Sequence, residues 1–378
     1  MSHTSFASLG LSPALLKALE KQEFTIPTPI QETAIPAILN KNDVLGIAKT
    51  GAGKTASYVL PLLMQAKPAA KLKNRHAHIL VLVPTRELAE QVKEVFHTFS
   101  KALPEPVKTL AVYGGVSINP QMMALQGVNI LVATPGRLLE LIDSNAVHLS
   151  GIETLVLDEA DKMLNLGFKE EVNKILALLP AKRQNILLSA TLNDDVNLVH
   201  QLMLHEPVVI KIAEEEDSLE LIKQVAYIVS EDKKGPFLRQ LIHQHDMKQV
   251  LVFASSVYQA DAIVNKLLKN NIDAKAIHSK KSQGGRTEAL NLFKSGKLRV
   301  LVATDLMARG IDILSLPFVI NYELPRSPKD YIHRIGRTGR AGTAGDAISL
   351  VSPSELHHFG IIQKKMGKQV EIIDSEGM

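Results

Sequence analysis

The chain contains no cysteine and no tryptophan, and aromatic residues make up only 4% of its 378 positions. Without cysteine it can form no disulfide framework, no zinc ribbon and no thiol nucleophile, which fits a reducing compartment. Also missing is any run of about 18 apolar residues, so neither a membrane span nor a membrane partner is expected. The opening segment, MSHTSFASLGLSPALLKALEKQ, lacks the basic region, apolar core and small-residue cleavage site of a secretory signal, and a cytoplasmic protein is expected. Neither sign of charge dominates: 43 Lys and Arg against 39 Asp and Glu leave a net +4, which permits binding to a polyanion without demanding it. What is present is an ordinary globular balance of 46% hydrophobic and 22% charged residues, enough for each half to bury a core. At about 100–200 residues per domain, the length suggests two domains.

Short, unalternating apolar runs alternate with helical stretches. In the first half they are 43–47, 78–83, 130–133, 154–157 and 185–188; in the second, 250–253, 274–277, 300–303 and 318–320. Runs of this kind read as buried parallel strands covered on both faces by helices. Each half is therefore expected to be a doubly wound α/β sheet. Between them, Glu214-Glu215-Glu216-Asp217 interrupts the pattern and marks a linker.

Residues 48–55 read Ala48-Lys49-Thr50-Gly51-Ala52-Gly53-Lys54-Thr55, after a strand and before a helix expected to begin near Ala56. Glycines allow backbone N–H groups to curl around phosphate oxygens, and the helix N-terminus adds partial positive charge. Lys54 can reach the β- and γ-phosphates, and the Thr55 hydroxyl can ligate Mg²⁺. Ala48 departs from the glycine usual at the first position of such a loop, while Gly53-Lys54-Thr55 is intact. Pro61, inside the helix that follows, is expected to kink it. Asp158-Glu159-Ala160-Asp161 follows the run 154–157 directly, placing carboxylates at the C-terminal end of a strand, where ligands of open α/β sheets collect. Asp158 can hold Mg²⁺ opposite Thr55, and Glu159 can orient or activate a water. Taken alone, the tetrad also reads as an acidic helix start.

With these motifs in place, residues 4–352 resemble the DEAD-box RNA helicases of superfamily 2, and within them the bacterial RhlE-type subgroup, through His278–Arg286 and the surroundings of Arg337–Gly342. The resemblance implies two tandem RecA-like doubly wound parallel-sheet domains joined by a short linker. On that reading residues 1–34 carry an N-terminal helix and Q motif, 35–212 the ATP-binding domain, 213–220 the acidic linker and 221–378 the C-terminal domain. In the Q motif, Phe24–Gln31, the resemblance implies that Gln31 reads the adenine edge and Phe24 packs on its ring. An amide suits that task because it offers donor and acceptor together. The family usually has glycine where this chain has Glu23, and His-Gly where it has His278-Ser279.

The resemblance further implies RNA contacts at Thr85, Arg86, Gly115, Thr134, Arg137, Arg286 and Thr304. Singly, these positions also read as turns or helix caps. With few rings available for stacking, contacts to phosphates and sugars with little sequence specificity are expected. Asp161, Ser189, Thr191, Arg309 and His333 are implied to couple the nucleotide and RNA sites, although Ser189-Ala190-Thr191 also reads as a helix cap. In the second half, His333-Arg334-Ile335-Gly336-Arg337-Thr338-Gly339-Arg340 sets out a row of arginines in a domain without its own phosphate loop. By the resemblance, Arg337 and Arg340 act as arginine fingers on the γ-phosphate and Asp312 contacts the ribose. The implied activity is RNA-stimulated hydrolysis of ATP with Mg²⁺ as cofactor, by a monomer that parts short RNA duplexes or remodels RNA–protein complexes. Ribosomal or RNA-decay proteins are conceivable partners. An ATP-gated RNA clamp with little unwinding, and a DNA-directed motor of the same superfamily, remain open alternatives at this level.

Overall fold

The computed structural model describes residues 4–49, 51–67, 75–212, 222–305, 316–339 and 344–375. The chain divides into two compact units, Met1–Glu214 and Glu215–Met378. The expected acidic linker, 213–220, lies outside the described residues.

The first unit carries a seven-stranded parallel sheet: β1 Val44–Ile47, β2 Ile79–Leu82, β3 Thr109–Val112, β4 Ile130–Ala133, β5 Thr154–Leu157, β6 Gln184–Ser189 and β7 Val208–Lys211. Its spatial order is β3-β4-β2-β5-β6-β1-β7. Strands β2, β4, β5 and β6 are buried along their whole length. Because side chains alternate across a strand, Ile79 and Val81 enter the apolar core on one face while Leu80 and Leu82 enter the core on the other. This is why the runs read as continuous rather than alternating apolar sequence. Each fully buried aliphatic side chain contributes roughly 1.5–3 kcal/mol.

The second unit repeats the plan with β8 Ile222–Ile228, β9 Val250–Ala254, β10 Ala274–Ile277, β11 Val300–Thr304, β12 Phe318–Asn321, β13 Gly345–Val351 and β14 Glu371–Asp374, in the order β10-β11-β9-β12-β13-β8-β14. Val250 and Val252 face one core, Leu251 and Phe253 the other. The doubly wound parallel architecture is as expected. Five strands went unread in the sequence. Three of them, β3, β7 and β14, lie at sheet edges, where burial is partial and the apolar signal weak. In β13 the run is broken by Asp346 and Ser349. Ser349 is nevertheless fully buried, its hydroxyl paired with Asn321 at 3.2 Å and Tyr331 at 3.2 Å. In β8, Lys223 and Gln224 interrupt the run in the same way. Among the described residues, no helix is long and apolar enough to cross a membrane.

The N-terminal helix Pro13–Lys21 ends in a turn that explains the family's glycine. The Phe24 N–H donates to the Leu19 carbonyl and the Glu23 N–H to the Glu20 carbonyl, each at 3.0 Å. This crossed pair requires a left-handed residue just past the helix, and Glu23 supplies it at φ 60°. The turn therefore keeps its geometry despite the substitution, at the cost of strain. Replacing Glu23 with glycine is expected to stabilise the first unit by ~0.5–1 kcal/mol and to raise its thermal midpoint by about 2 °C. Calorimetry giving an equal or lower midpoint would count against strain at this position.

Candidate active site

Strand order, rather than sequence proximity, assembles the site. β5, β6 and β1 are neighbours, so the segments leaving their C-terminal ends meet: Asp158 after β5, Ser189 at the end of β6 and Ala48 after β1. Ile47 is in register with Ser189, and the Ala48 N–H donates to the Ser189 carbonyl at 3.0 Å. The helix after the loop spans Lys54–Gln65, starting two residues earlier than expected because Gly53 caps it at φ 87°. It continues through Pro61 to Gln65.

Gly53 cannot be replaced without movement. A Cβ there would lie 2.5 Å from Gln31 Nε2 and 2.7 Å from Thr28 Oγ1. These two side chains hold the loop. Gln31 Nε2 donates to the Gly53 carbonyl at 3.1 Å, Thr28 Oγ1 donates to the Ala52 carbonyl at 2.9 Å, and Gln31 Oε1 accepts the Thr28 N–H at 3.0 Å. Thr28 carries no separate role in the sequence reading; its spacing of three from Gln31 across a helix start is the signal that marks it. Phe24 is partly exposed, its ring edge-on to Phe99 with centroids 5.8 Å apart. Lys54 is buried, and its ammonium donates to the carbonyl of Ala48 at 2.6 Å. Burial holds its pKa below the ordinary lysine value, opposed by the charges of Asp158, Glu159 and Asp161. Lys49 and Gly51 are exposed, and Thr50 lies outside the described residues.

The tetrad is buried with its charges. Asp158 Oδ1 accepts the Glu159 N–H and Oδ2 accepts the Tyr58 hydroxyl, each at 2.9 Å. Burial pushes the Asp158 carboxyl above the usual range, against the pull of Lys54 and Tyr58. Glu159 has a left-handed backbone, φ 53° and ψ 47°, uncommon for a residue with a Cβ. One of its oxygens pairs with Lys162 Nζ at 2.7 Å, while Oε2 is buried with no hydrogen-bond partner among the described residues. Burial raises its pKa too, the direction expected for a carboxylate tuned toward base catalysis. Asp161 joins the tetrad to β6: its Oδ2 accepts the Thr191 hydroxyl at 3.1 Å, and its N–H donates to Ser189 Oγ at 3.3 Å. Ser189 Oγ in turn donates to the Thr191 carbonyl at 2.7 Å.

The donor chemistry fits a small hard cation. Mg²⁺ is commonly held by one or two carboxylates together with substrate phosphates. Asp158 and Thr55 offer oxygen donors of the kind such a cation takes, and Glu159 Oε2 is buried with no hydrogen-bond partner among the described residues.

In the second unit the arginine row separates into different roles. Arg334 is buried, with Nε and Nη2 on the Asp305 carboxylate at 2.5 and 2.8 Å. Its Nη1 donates to Asn321 Oδ1 at 3.1 Å and to the Glu323 carbonyl at 2.6 Å, and the guanidinium lies 5.0 Å from the Phe253 ring centroid. All of this ties the ends of β9, β11 and β12 together. Arg334 is thus a structural tie within its own unit, not a cation offered to a nucleotide. Arg337 is buried as well, its carbonyl accepting the Leu316 N–H at 3.0 Å. His333 is half-buried on the last turn of the helix Pro328–Ile335. Arg309, Asp312 and Arg340 lie outside the described residues.

Two family models match the chain: DEAD/DEAH box helicase over residues 28–199, and helicase conserved C-terminal domain over residues 233–342. A DEAD-box ATP-dependent RNA helicase CshA of Streptococcus pneumoniae is 42% identical over 97% of this chain and 69% of its own length. The chain belongs to the DEAD-box ATP-dependent RNA helicases. A CshA helicase of Geobacillus kaustophilus is 38% identical over 97% of this chain and 78% of its own length. Among solved structures, Saccharomyces cerevisiae Dbp5 bound to RNA and ADP BeF3 matches with a TM-score of 0.85 and 29% identity, covering 98% of this chain and 96% of that one. A DEAD box protein from Methanococcus jannaschii matches with a TM-score of 0.55 and 35% identity over 98% of this chain and 99% of that one. The RhlE-type subgroup expected from the sequence is not supported, since the bacterial helicase relatives here carry the name CshA.

In this helicase the residues expected to meet RNA lie at several strand ends. Thr85 caps the helix Arg86–Ser100, its hydroxyl accepting the Leu88 N–H at 3.3 Å. Arg86 lies flat against Gly115, where a Cβ would come within 2.4 Å of its guanidinium; Gly115 itself has φ 74°. Thr134 begins the helix carrying Arg137, whose Nε pairs with Glu140 at 2.7 Å and whose Nη2 donates to the Val116 carbonyl at 2.8 Å. In the second unit, Thr304 ends β11 and buried Arg286 sits on the first turn of the helix Gln283–Lys294. Ser279 is exposed.

Proposed function

We propose that the chain is an RNA-stimulated ATPase that works as a two-domain clamp. The first unit holds ATP through Gln31, Lys54, Thr55 and Asp158, with Gln31 and Phe24 at the adenine. Bound Mg²⁺ supplies charge neutralisation of the phosphates. RNA and ATP together draw the second unit onto the first, bringing Arg337 and Arg340 to the γ-phosphate and Asp312 to the ribose. Glu159 then orients the attacking water. Catalysis on this reading comes from positioning and electrostatics, with no covalent intermediate. Loss of the γ-phosphate removes a contact shared by both units, so the clamp reopens and releases RNA. Asp161, Ser189, Thr191, Arg309 and His333 transmit between the two sites.

The observation that carries this reading is the buried cluster of Lys54, Asp158 and Glu159 beyond the ends of β1 and β5, which β6 alone separates, in a chain whose second half has arginines but no phosphate loop. RNA contacts fall to Thr85, Arg86, Gly115, Thr134, Arg137, Arg286 and Thr304. Buried Arg137 Nη1, which lacks a hydrogen-bond partner among the described residues, supports this at one of them. The test is the ATP hydrolysis rate alone, with RNA, and with DNA of the same sequence. Stimulation by RNA and not by DNA is expected; equal stimulation by DNA would replace the reading with a DNA-directed motor. Strand displacement on a short RNA duplex separates an unwinding enzyme from a monomeric clamp that only grips.

A further inference from the structure

We propose that Tyr58 is a positioning residue of the metal corner of the site: its phenol hydroxyl fixes the Asp158 carboxylate in the orientation that receives Mg²⁺ together with the Thr55 hydroxyl. The inference rests on the reading of Thr55 and Asp158 as the magnesium-holding pair. Tyr58 lies three residues after Thr55 and four after Lys54 on the helix Lys54–Gln65, so all three project from neighbouring positions on one helical face. Its side chain is fully buried, and its hydroxyl donates to Asp158 Oδ2 at 2.9 Å. A phenol has one proton, and here Asp158 receives it. Asp158 is fixed at both oxygens, since Oδ1 accepts the Glu159 N–H at 2.9 Å.

Core packing alone does not account for the hydroxyl. The Tyr58 ring packs against Phe96, centroids 6.3 Å apart, among apolar neighbours that phenylalanine would satisfy equally well. Burying a hydroxyl is unfavourable unless it is hydrogen-bonded. Its partner here is a side chain assigned to the metal. Groups that orient a ligating carboxylate commonly change metal affinity roughly 10–100-fold when removed.

The test uses the full chain with Tyr58→Phe, which keeps the ring and removes only the hydroxyl. Binding of a fluorescent ADP is measured across a Mg²⁺ titration and in EDTA, and RNA-stimulated ATP hydrolysis across the same Mg²⁺ range. The Mg²⁺ concentration at half-effect is expected to rise roughly tenfold in both assays, with excess Mg²⁺ recovering most of the lost rate and ADP affinity in EDTA unaltered. Adding Tyr58→Phe to Asp158→Asn is expected to cost little more, because the phenol acts through that carboxylate. Mg²⁺ curves that superimpose on wild type would overturn the proposal. So would a lowered melting temperature with a uniform loss at every Mg²⁺ concentration, the signature of a packing role. If Thr55→Ala and Asp158→Asn leave the Mg²⁺ dependence untouched, the metal pair itself is misassigned and the inference falls with it. That failure is visible in those two variants whatever Tyr58→Phe does.

Discussion

Replacing Lys54 with alanine is expected to reduce ATP hydrolysis by roughly 10³-fold or more, the scale on which preorganised charges at a transition state act. The geometry explains the size. The Lys54 ammonium is buried and held on the carbonyl of Ala48, so its position at the mouth of the loop is set before substrate arrives. Its neighbours are three carboxylates, Asp158, Glu159 and Asp161. Without Lys54, the phosphates of ATP would face that acidic cluster with one fewer positive charge. ATP affinity should fall along with turnover, because the lysine serves bound substrate and transition state alike. Single-turnover hydrolysis and equilibrium binding of a fluorescent nucleotide separate the two losses, with circular dichroism to confirm the fold. Near-normal hydrolysis in a folded variant would end the assignment of residues 48–55 as a phosphate loop.

Arg337→Ala is expected to leave ATP binding to the first unit within a few-fold of wild type while lowering RNA-stimulated turnover by about 10³-fold or more, the range measured for arginine fingers in GTPases. Arg337→Lys should recover little, because an ammonium cannot reproduce the planar fork of a guanidinium. The informative comparison is Arg334→Ala. Arg334 binds Asp305, Asn321 and the Glu323 carbonyl inside its own unit. Removing it leaves Asp305 without its main charge partner and should cost about 3–5 kcal/mol of stability. A melting temperature that drops further for Arg334→Ala than for Arg337→Ala would separate the structural arginine from the finger. An unchanged RNA-stimulated rate in Arg337→Ala would remove its catalytic role.

Those two arginines show where reading the sequence stops. His333–Arg340 presents a row of cations three residues apart, and nothing local distinguishes them. Arg334 is set apart by Asp305, Asn321 and Glu323, which come from the ends of two other strands. The same holds for Tyr58. As sequence it is one aromatic in an apolar helix; its hydroxyl acquires a role only because β5 and β1, separated by β6 alone, bring Asp158 to it. Glu23 behaves differently. Its departure from glycine is visible at once, but its strain depends on a backbone angle that no residue type announces.

What the sequence determined by itself is local or periodic. Buried parallel strands read as continuous Val, Ile and Leu because both faces are covered. A phosphate loop reads as glycines before Lys-Thr because backbone amides must close around an anion. From those two signals follow the doubly wound halves and the expectation of a nucleotide site; the family resemblance rests on the whole ordered set of motifs. Tertiary structure alone decided which motifs touch: strand order set Ala48, Asp158 and Ser189 side by side. It also decided which charges are buried and what each is paired with. Pairing across a sheet depends on the order in which strands are laid down, and that order leaves no mark on any single segment of the chain.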